Sequence, residues 1–242
     1  KEIIDRLCEL LPKGFEIKHK ERYDYYIKCN GNRINNRSWL KHHLDEYGLL
    51  GCRSYEKFIP KDYLYGSYED RWELLRGLCD TDGFAWKSGV EYTTVSEQLA
   101  EDVRELVHSL GGYCSVTLKK NCGHKKDGEF KACRDAYRLI IQFSANHPSP
   151  FHLSRKKKLY SPKRTTWRRY ITDIKYIGEE ETTCIYIDDP SHLYITDDYI
   201  ITHNTTLGEF FMSFVMGHYP NKPNLMSSHS GYMTRMFYSA RS

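Results

Sequence analysis

A chain of 242 residues has room for one or two compact domains with a sizeable core, and excludes a large multidomain assembly. Apolar residues at 40% and aromatics at 14% exclude disorder throughout. The 36 Lys and Arg against 32 Asp and Glu leave a net +4, so attraction to a polyanion depends on where the charges sit.

In chain order, the first predicted element is a short helix with Ile3, Leu7, Leu10 and Leu11 on one face, stopped near Pro12 and Gly14. Strand-like runs follow at Phe15 to Lys18 and Tyr23 to Lys28, then a helix holding Trp39, Leu40, Leu44 and Tyr47. Ser67, with Asp70 three residues on, reads as the N-cap of a helix through Trp72, Leu75 and Leu78 that ends at Asp80-Thr81-Asp82-Gly83. A strand from Glu91 to Val95 leads to a second Ser-capped helix from Ser96, closed by Gly111-Gly112. The period then becomes two: Tyr113 to Leu118 and Tyr137 to Phe143 pair across a polar turn around Lys126-Asp127-Gly128. From Leu153 to Tyr170 eight Lys and Arg are uninterrupted by any acid, which marks a boundary. Beyond it, Ile185 to Ile187, His192 to Ile195 and Tyr199 to Ile201 read as the short strands of an all-β domain. After Asn204 the pattern turns helical and apolar, with Phe210, Phe211, Phe214 and Val215.

No segment approaches the roughly 18 apolar residues of a membrane span, and Lys1-Glu2-Ile3 is not the start of a secretory signal, so a soluble intracellular protein with no membrane partner is expected. The eight cysteines form no CxxC pair and read as reduced thiols. Cys122, His124 and Cys133 offer three zinc ligands, at a spacing that matches none of the common structural sites.

The run Leu75-Arg76-Gly77-Leu78-Cys79-Asp80-Thr81-Asp82-Gly83 carries the most chemistry. Small Gly77 on an apolar helix face permits close approach of another helix, and the helix end delivers Asp80 and Asp82 to one edge, where carboxylates suit a hard cation such as Mg²⁺. The alternative is a solvated turn closed by Gly83.

Residues 75 to 83 resemble the second helix motif of the LAGLIDADG homing endonucleases, and Lys57-Phe58-Ile59-Pro60 with the strand and helix from Tyr92 to Leu110 match blocks that flank it inside inteins. The resemblance implies a DOD-type LAGLIDADG endonuclease half, with helices packed on a curved antiparallel sheet. It makes Asp82 the metal-binding and catalytic aspartate and Asp80 a helix-end cap, with Mg²⁺ as cofactor and double-stranded DNA as substrate. The helix motif supplying the other aspartate is not in the chain, which reads as a fragment of a longer reading frame, and the missing N-terminal intein half with its LAGLIDADG helix is the expected partner. Phe151-His152-Leu153-Ser154-Arg155-Lys156 is similar to the family's stretch bearing a catalytic lysine. Lys156 is therefore the candidate to polarise water or offset phosphate charge, with Lys157 and Lys158 as rivals, against a basic linker that only tracks phosphates. Arg155, Lys157, Lys158 and the hairpin residues Lys119, Lys120, Lys131, Arg134 and Arg138 are the candidate DNA contacts.

Thr202-His203-Asn204-Thr205 offers a second chemistry: an Asn amide attacks its own carbonyl to form a succinimide, with His assisting and a Thr hydroxyl as acyl acceptor. The stretch from Cys184 to Asn204 resembles the C-terminal splicing blocks of inteins, the end of a Hint domain. That resemblance implies that Asn204 cyclises, that His203 and His192 assist, and that Thr205 is the first host residue and nucleophile. Cys184 occupies a position where the family often carries Asp or Cys; its alternative is a buried strand thiol. Splicing needs no cofactor. It does need an N-terminal intein half bearing its own nucleophile, which the chain lacks.

Residues 205–242 are similar to the ATPase of a phage terminase large subunit, with a helicase-like ATPase as the rival. The expectation is thus α+β: residues 1–162 a LAGLIDADG endonuclease domain, 163–204 a partial all-β Hint domain, and 205–242 a short helical host segment, in the cytoplasm of a bacterial or phage-infected cell. The alternative is a truncated element that acts only as a basic DNA-binding module.

Overall fold

The computed structural model describes residues 2–202 apart from 32, 35, 36, 127, 128, 169, 171, 174, 177, 179, 180, 182–184 and 186. The chain divides into two units, Lys1–Tyr170 and Ile171–Ser242.

The first unit is mixed helix and antiparallel sheet. It opens with helix α1 (Glu2–Leu10), the ladder of β1 (Phe15–Glu21) with β2 (Asp24–Cys29), the two-residue strands β3 (Arg33–Ile34) and β4 (Arg37–Ser38), and helix α2 (Trp39–Glu46). Short α3 (Lys61–Leu64) precedes α4 (Tyr68–Asp82), β5 (Phe84–Trp86), β6 (Gly89–Thr94), α5 (Glu97–Ser109) and β7 (Tyr113–Lys119). The unit closes with the ladder of β8 (Gly123–Lys126) and β9 (Glu129–Ala132), then β10 (Ala136–Gln142) and α6 (Ser154–Leu159).

Local sequence sets the helix ends. The Ser67 hydroxyl accepts from Asp70 N, and that of Ser96 from Leu99 N. Helix α5 stops because Gly111 takes φ +78°, letting Gly112 N donate to the Val107 carbonyl and Gly111 N to that of His108. The Lys57–Pro60 stretch is pinned to α5: Ser96 Oγ donates to the Lys57 carbonyl (2.6 Å) and Ile59 N donates to buried Asp102 (2.7 Å).

The main sheet has strand order β5-β6-β10-β7, all antiparallel. Alternation puts Val90, Tyr92, Leu139, Ile141 and Cys114 on one face, where Trp72, Leu75 and Cys79 of α4 and Val103, Leu106 and Val107 of α5 bury them. The opposite face carries Thr93, Arg138, Thr117 and Lys119 in register, with Phe84 exposed at the edge. The connection read as a simple polar turn is the β8–β9 ladder, whose base is closed by Cys133 N donating to the Cys122 carbonyl (2.7 Å).

The sequence puts a boundary after residue 162; in the structure the next residues still belong to the first unit. Ala145 N donates to the Lys163 carbonyl (3.2 Å), Thr165 N to Ser144 Oγ (2.8 Å), and Trp167 stacks on Tyr113 with ring centroids 5.0 Å apart.

In the second unit the regular structure among the described residues is an antiparallel pair, β11 (Tyr194–Ile195) with β12 (Ile201–Thr202), joined through a 3₁₀ turn at Asp197–Tyr199. Among the described residues no helix is long and apolar enough to cross a membrane.

Candidate functional site

The last turn of α4 sends its two aspartates apart. Residues two apart on a helix differ by about 200° around the axis, so Asp80 and Asp82 do not share an edge, contrary to the sequence reading. Asp80 is buried, and its carboxylate accepts from the backbone amides of His152 (2.9 Å) and Leu153 (3.3 Å) at the start of α6. Asp82 is exposed at the rim of a cavity of about 900 Å³, and among the described residues no hydrogen bond or ion pair engages its carboxylate. Its charge is felt by Tyr92, whose phenol is pushed up to about 12, mainly by burial and secondarily by Asp82. Asp82 is thus free to bind an external cation, and Asp80 is not.

Lys156 is only 5% exposed. Its ammonium donates to three backbone carbonyls, those of Cys79 (2.7 Å), Asp80 (2.8 Å) and Gly83 (2.5 Å). An ammonium has three protons, and all three are used. Burial, and after it Arg155, push the Lys156 pKa below the ordinary lysine value, with Asp80 opposing. This geometry is at odds with a direct role for Lys156 at a scissile phosphate, because no donor remains to reach one. Its neighbours Arg155, Lys157 and Lys158 are exposed, as basic contacts require.

Among the described residues one face of α4 is left uncovered. Leu74 and Leu78 are half-buried beside exposed Gly77 and Thr81, the i, i+3, i+4, i+7 spacing of a helix-packing ridge. A Cβ added at Gly77 would meet no described atom within 4 Å, whereas one at Gly83 would lie 2.5 Å from the Cys79 carbonyl oxygen. On one side of the ridge lies the 900 Å³ cavity, lined by Trp39, Leu40 and Leu44 of α2 with Leu74, Leu78 and Asp82. On the other, a cavity of about 600 Å³ separates Gly77 and Thr81 from Ile3, Leu7 and Leu10 of α1.

Sequence reasoning missed the network that ties α1 to α4. Glu73 accepts from Arg6 (2.8 Å) and Arg76 (2.6 Å), and His152 Nε2 lies 2.7 Å from it. Burial raises the Glu73 pKa, but the His152 and Arg76 hydrogen bonds, with Arg6, outweigh it and hold the carboxyl at about 2. Glu2 of α1 accepts from both Ser154 N and Ser154 Oγ (2.8 and 2.6 Å). Only the Glu73–Arg76 spacing was legible in the chain; the other pairs join residues remote in sequence.

Of the basic candidates, Lys119, Lys120 and Lys131 are exposed. Arg138 lies on the open sheet face but is salt-bridged to Glu91, and the Arg134 guanidinium sits 3.9 Å over the Tyr55 ring. Among the described residues no group of three His, Cys, Asp or Glu side chains is arranged to hold a metal. Asp82 alone fits a cation that takes one protein carboxylate and completes its shell with phosphate, water and a carboxylate from elsewhere.

Of the splicing candidates, His192 lies in a turn at φ +50°, with Nδ1 2.9 Å from the Ile187 carbonyl oxygen. Cys184, His203, Asn204 and Thr205 lie outside the described residues, as does the whole of 205–242.

Comparison with known proteins places a family on this geometry. Residues 69–142 match the family model of the LAGLIDADG-like domain, a span that runs from the first turn of α4 to the end of β10. The chain is 33% identical over 180 residues to a replicative DNA helicase DnaB of Mycobacterium intracellulare, covering 72% of this chain and 29% of that protein. It is 34% identical over 105 residues to a replicative DNA helicase DnaB of Nostoc sp., covering 40% of this chain and 12% of that one. The chain thus spans less than a third of either relative. Residues 69–142, which build the four-stranded sheet and its two covering helices, are a LAGLIDADG-like domain.

Proposed function

We propose that this chain is part of an intein, in which a LAGLIDADG homing endonuclease domain is joined to a C-terminal splicing segment. The observation that carries the nuclease reading is the exposed Asp82 carboxylate at the end of α4, which no hydrogen bond or ion pair engages among the described residues, beside a helix face that the described residues leave open at Gly77. Asp82 would bind a divalent cation whose chemistry is to activate water and stabilise the leaving oxyanion. The second carboxylate would come from the first helix motif of the family, seated on the Leu74–Gly77–Leu78–Thr81 ridge. The sheet face bearing Lys119, Thr93 and Thr117, together with exposed Lys120, Lys131, Arg155, Lys157 and Lys158, would track duplex DNA.

Splicing would run through Asn204 cyclisation, assisted by His203 and His192, with Thr205 as the acceptor hydroxyl and Cys184 in the adjoining block. Residues 163–204 would complete a Hint domain with an N-terminal splicing half. Two relatives named as replicative helicases, each matched over a small part of its length, support an insert carried within a longer host in a bacterial cytoplasm. They favour a helicase-type ATPase over a terminase as the host of residues 205–242.

Asp82→Ala tests the nuclease reading: it is expected to abolish Mg²⁺-dependent nicking and to leave salt-sensitive DNA binding intact. Unchanged nicking overturns the assignment; an inability of the parent to nick under any condition leaves the basic DNA-binding module as the better reading. Intact mass after incubation at neutral pH tests the splicing reading: release of a segment starting at Thr205 is expected from the chain with its N-terminal half and not from Asn204→Ala.

A further inference from the structure

We infer that Lys156 is a positioning residue, which fixes the Asp82 carboxylate by holding the backbone carbonyls on either side of it, and that Asp80 is its counterpart across the same junction. The inference rests on the reading of Asp82 as the metal-binding group.

The need for such a residue follows from how α4 ends. The last carbonyls of a helix have no amide partner within it. Helix α5 meets this need with a left-handed glycine, Gly111, whose amide and that of Gly112 turn back onto the helix. Helix α4 cannot do so. Gly83 follows it at φ −82° and ψ 137°, extended, because the chain must pass directly into β5. A single amide, Gly83 N, returns to the Cys79 carbonyl. The Lys156 ammonium takes the place of the missing closure, bonding the Cys79, Asp80 and Gly83 carbonyls together. A cation at a helix C-terminus also complements the helix dipole.

Asp82 lies between two of those carbonyls, one residue before Gly83 and two after Asp80. Gly83 itself is packed so closely that an added Cβ would lie 2.9 Å from Val90 Cγ1, so the strand exit is held from the core side as well. In return, the Asp80 carboxylate takes two amides at the start of α6. The exchange is reciprocal: α4 supplies the carboxylate that holds the two residues leading into α6, and α6 the cation for the last turn of α4. The exchange fixes the place from which Asp82 projects.

The test is amide hydrogen exchange by NMR on the full chain, parent against Lys156→Met. Loss of the ammonium is expected to speed exchange at Asp82, Gly83 and Phe84 by about tenfold or more, with the central amides of α5 unchanged, and to raise the Mg²⁺ concentration needed for half-maximal nicking while duplex affinity stays at the parent's, with Lys156→Arg restoring part of the loss. Exchange at 82–84 equal to the parent's, or raised equally in α5, overturns the proposal. If Lys156→Met does not fold, the parent alone decides: ¹⁵N spectra of the Lys156 ammonium are expected to show slow proton exchange and couplings to three carbonyl carbons, and a solvent-like ammonium overturns the proposal. Failure of the nuclease reading is visible separately, as nicking that survives Asp82→Ala, and leaves the exchange result standing.

Discussion

His152 Nε2 lies 2.7 Å from Glu73 Oε2, joining the entry to α6 with the middle of α4 across 79 residues of sequence. The same carboxylate oxygen accepts from Arg6 of α1, so Glu73 fastens three separate segments. Its carboxyl is held at about 2 against an ordinary value of 4.5. A carboxylate whose pKa is depressed by folding adds stability that is fully present above the ordinary value and is lost as the pH falls from there through the folded one. The protein is therefore expected to lose stability between about pH 4.5 and pH 2, with part of that loss abolished in Glu73→Gln. Thermal midpoints of both proteins across this range check it; parallel pH profiles contradict it.

The uncovered ridge of α4 makes opposite demands on the chain alone and on its complex with another helix. Gly77→Ala meets no described atom within 4 Å, so it should stabilise the chain by roughly 0.5–1 kcal/mol through better helix propensity. Gly77→Leu should fold as well but obstruct a helix packed across the ridge. Denaturant unfolding reads the first effect, and association with a polypeptide carrying the first helix motif reads the second. Undiminished association of Gly77→Leu would remove the ridge from the interface.

Much of the fold was legible because its signals are local. Ser67, Ser96 and the Gly111-Gly112 pair mark helix ends by short-range hydrogen bonds, and the alternation in residues 137–143 marks a strand with one buried face. The site was less legible. Spacing along the chain put Asp80 and Asp82 together, whereas helix geometry turns them to opposite sides. Lys156 sits in a run of basic residues that looks solvated throughout, yet its position on α6 turns it inward while Arg155, Lys157 and Lys158 point out. Nothing within ten residues of Lys156 announces the three carbonyls it serves, since they lie 73 to 77 positions upstream.

The basic residues separate into groups with different expected effects. Lys119 is exposed on the open sheet face, so Lys119→Ala should weaken duplex binding and lower the slope of log affinity against log salt by about one. Arg138 is already paired with Glu91 and Arg134 stacks on Tyr55, so their loss should change the slope less. Binding isotherms at several salt concentrations distinguish the two groups; equal slopes for all three variants would contradict the assignment.

The central claim is that Asp82 is one carboxylate of a metal site completed by a helix on the Gly77 ridge. Its most direct test is Mg²⁺-dependent nicking of duplex DNA by the chain, with and without a polypeptide supplying the first helix motif. Nicking that appears only with that polypeptide, and disappears in Asp82→Ala while DNA binding persists, is the expected result. Nicking by Asp82→Ala at the parent's rate would contradict it.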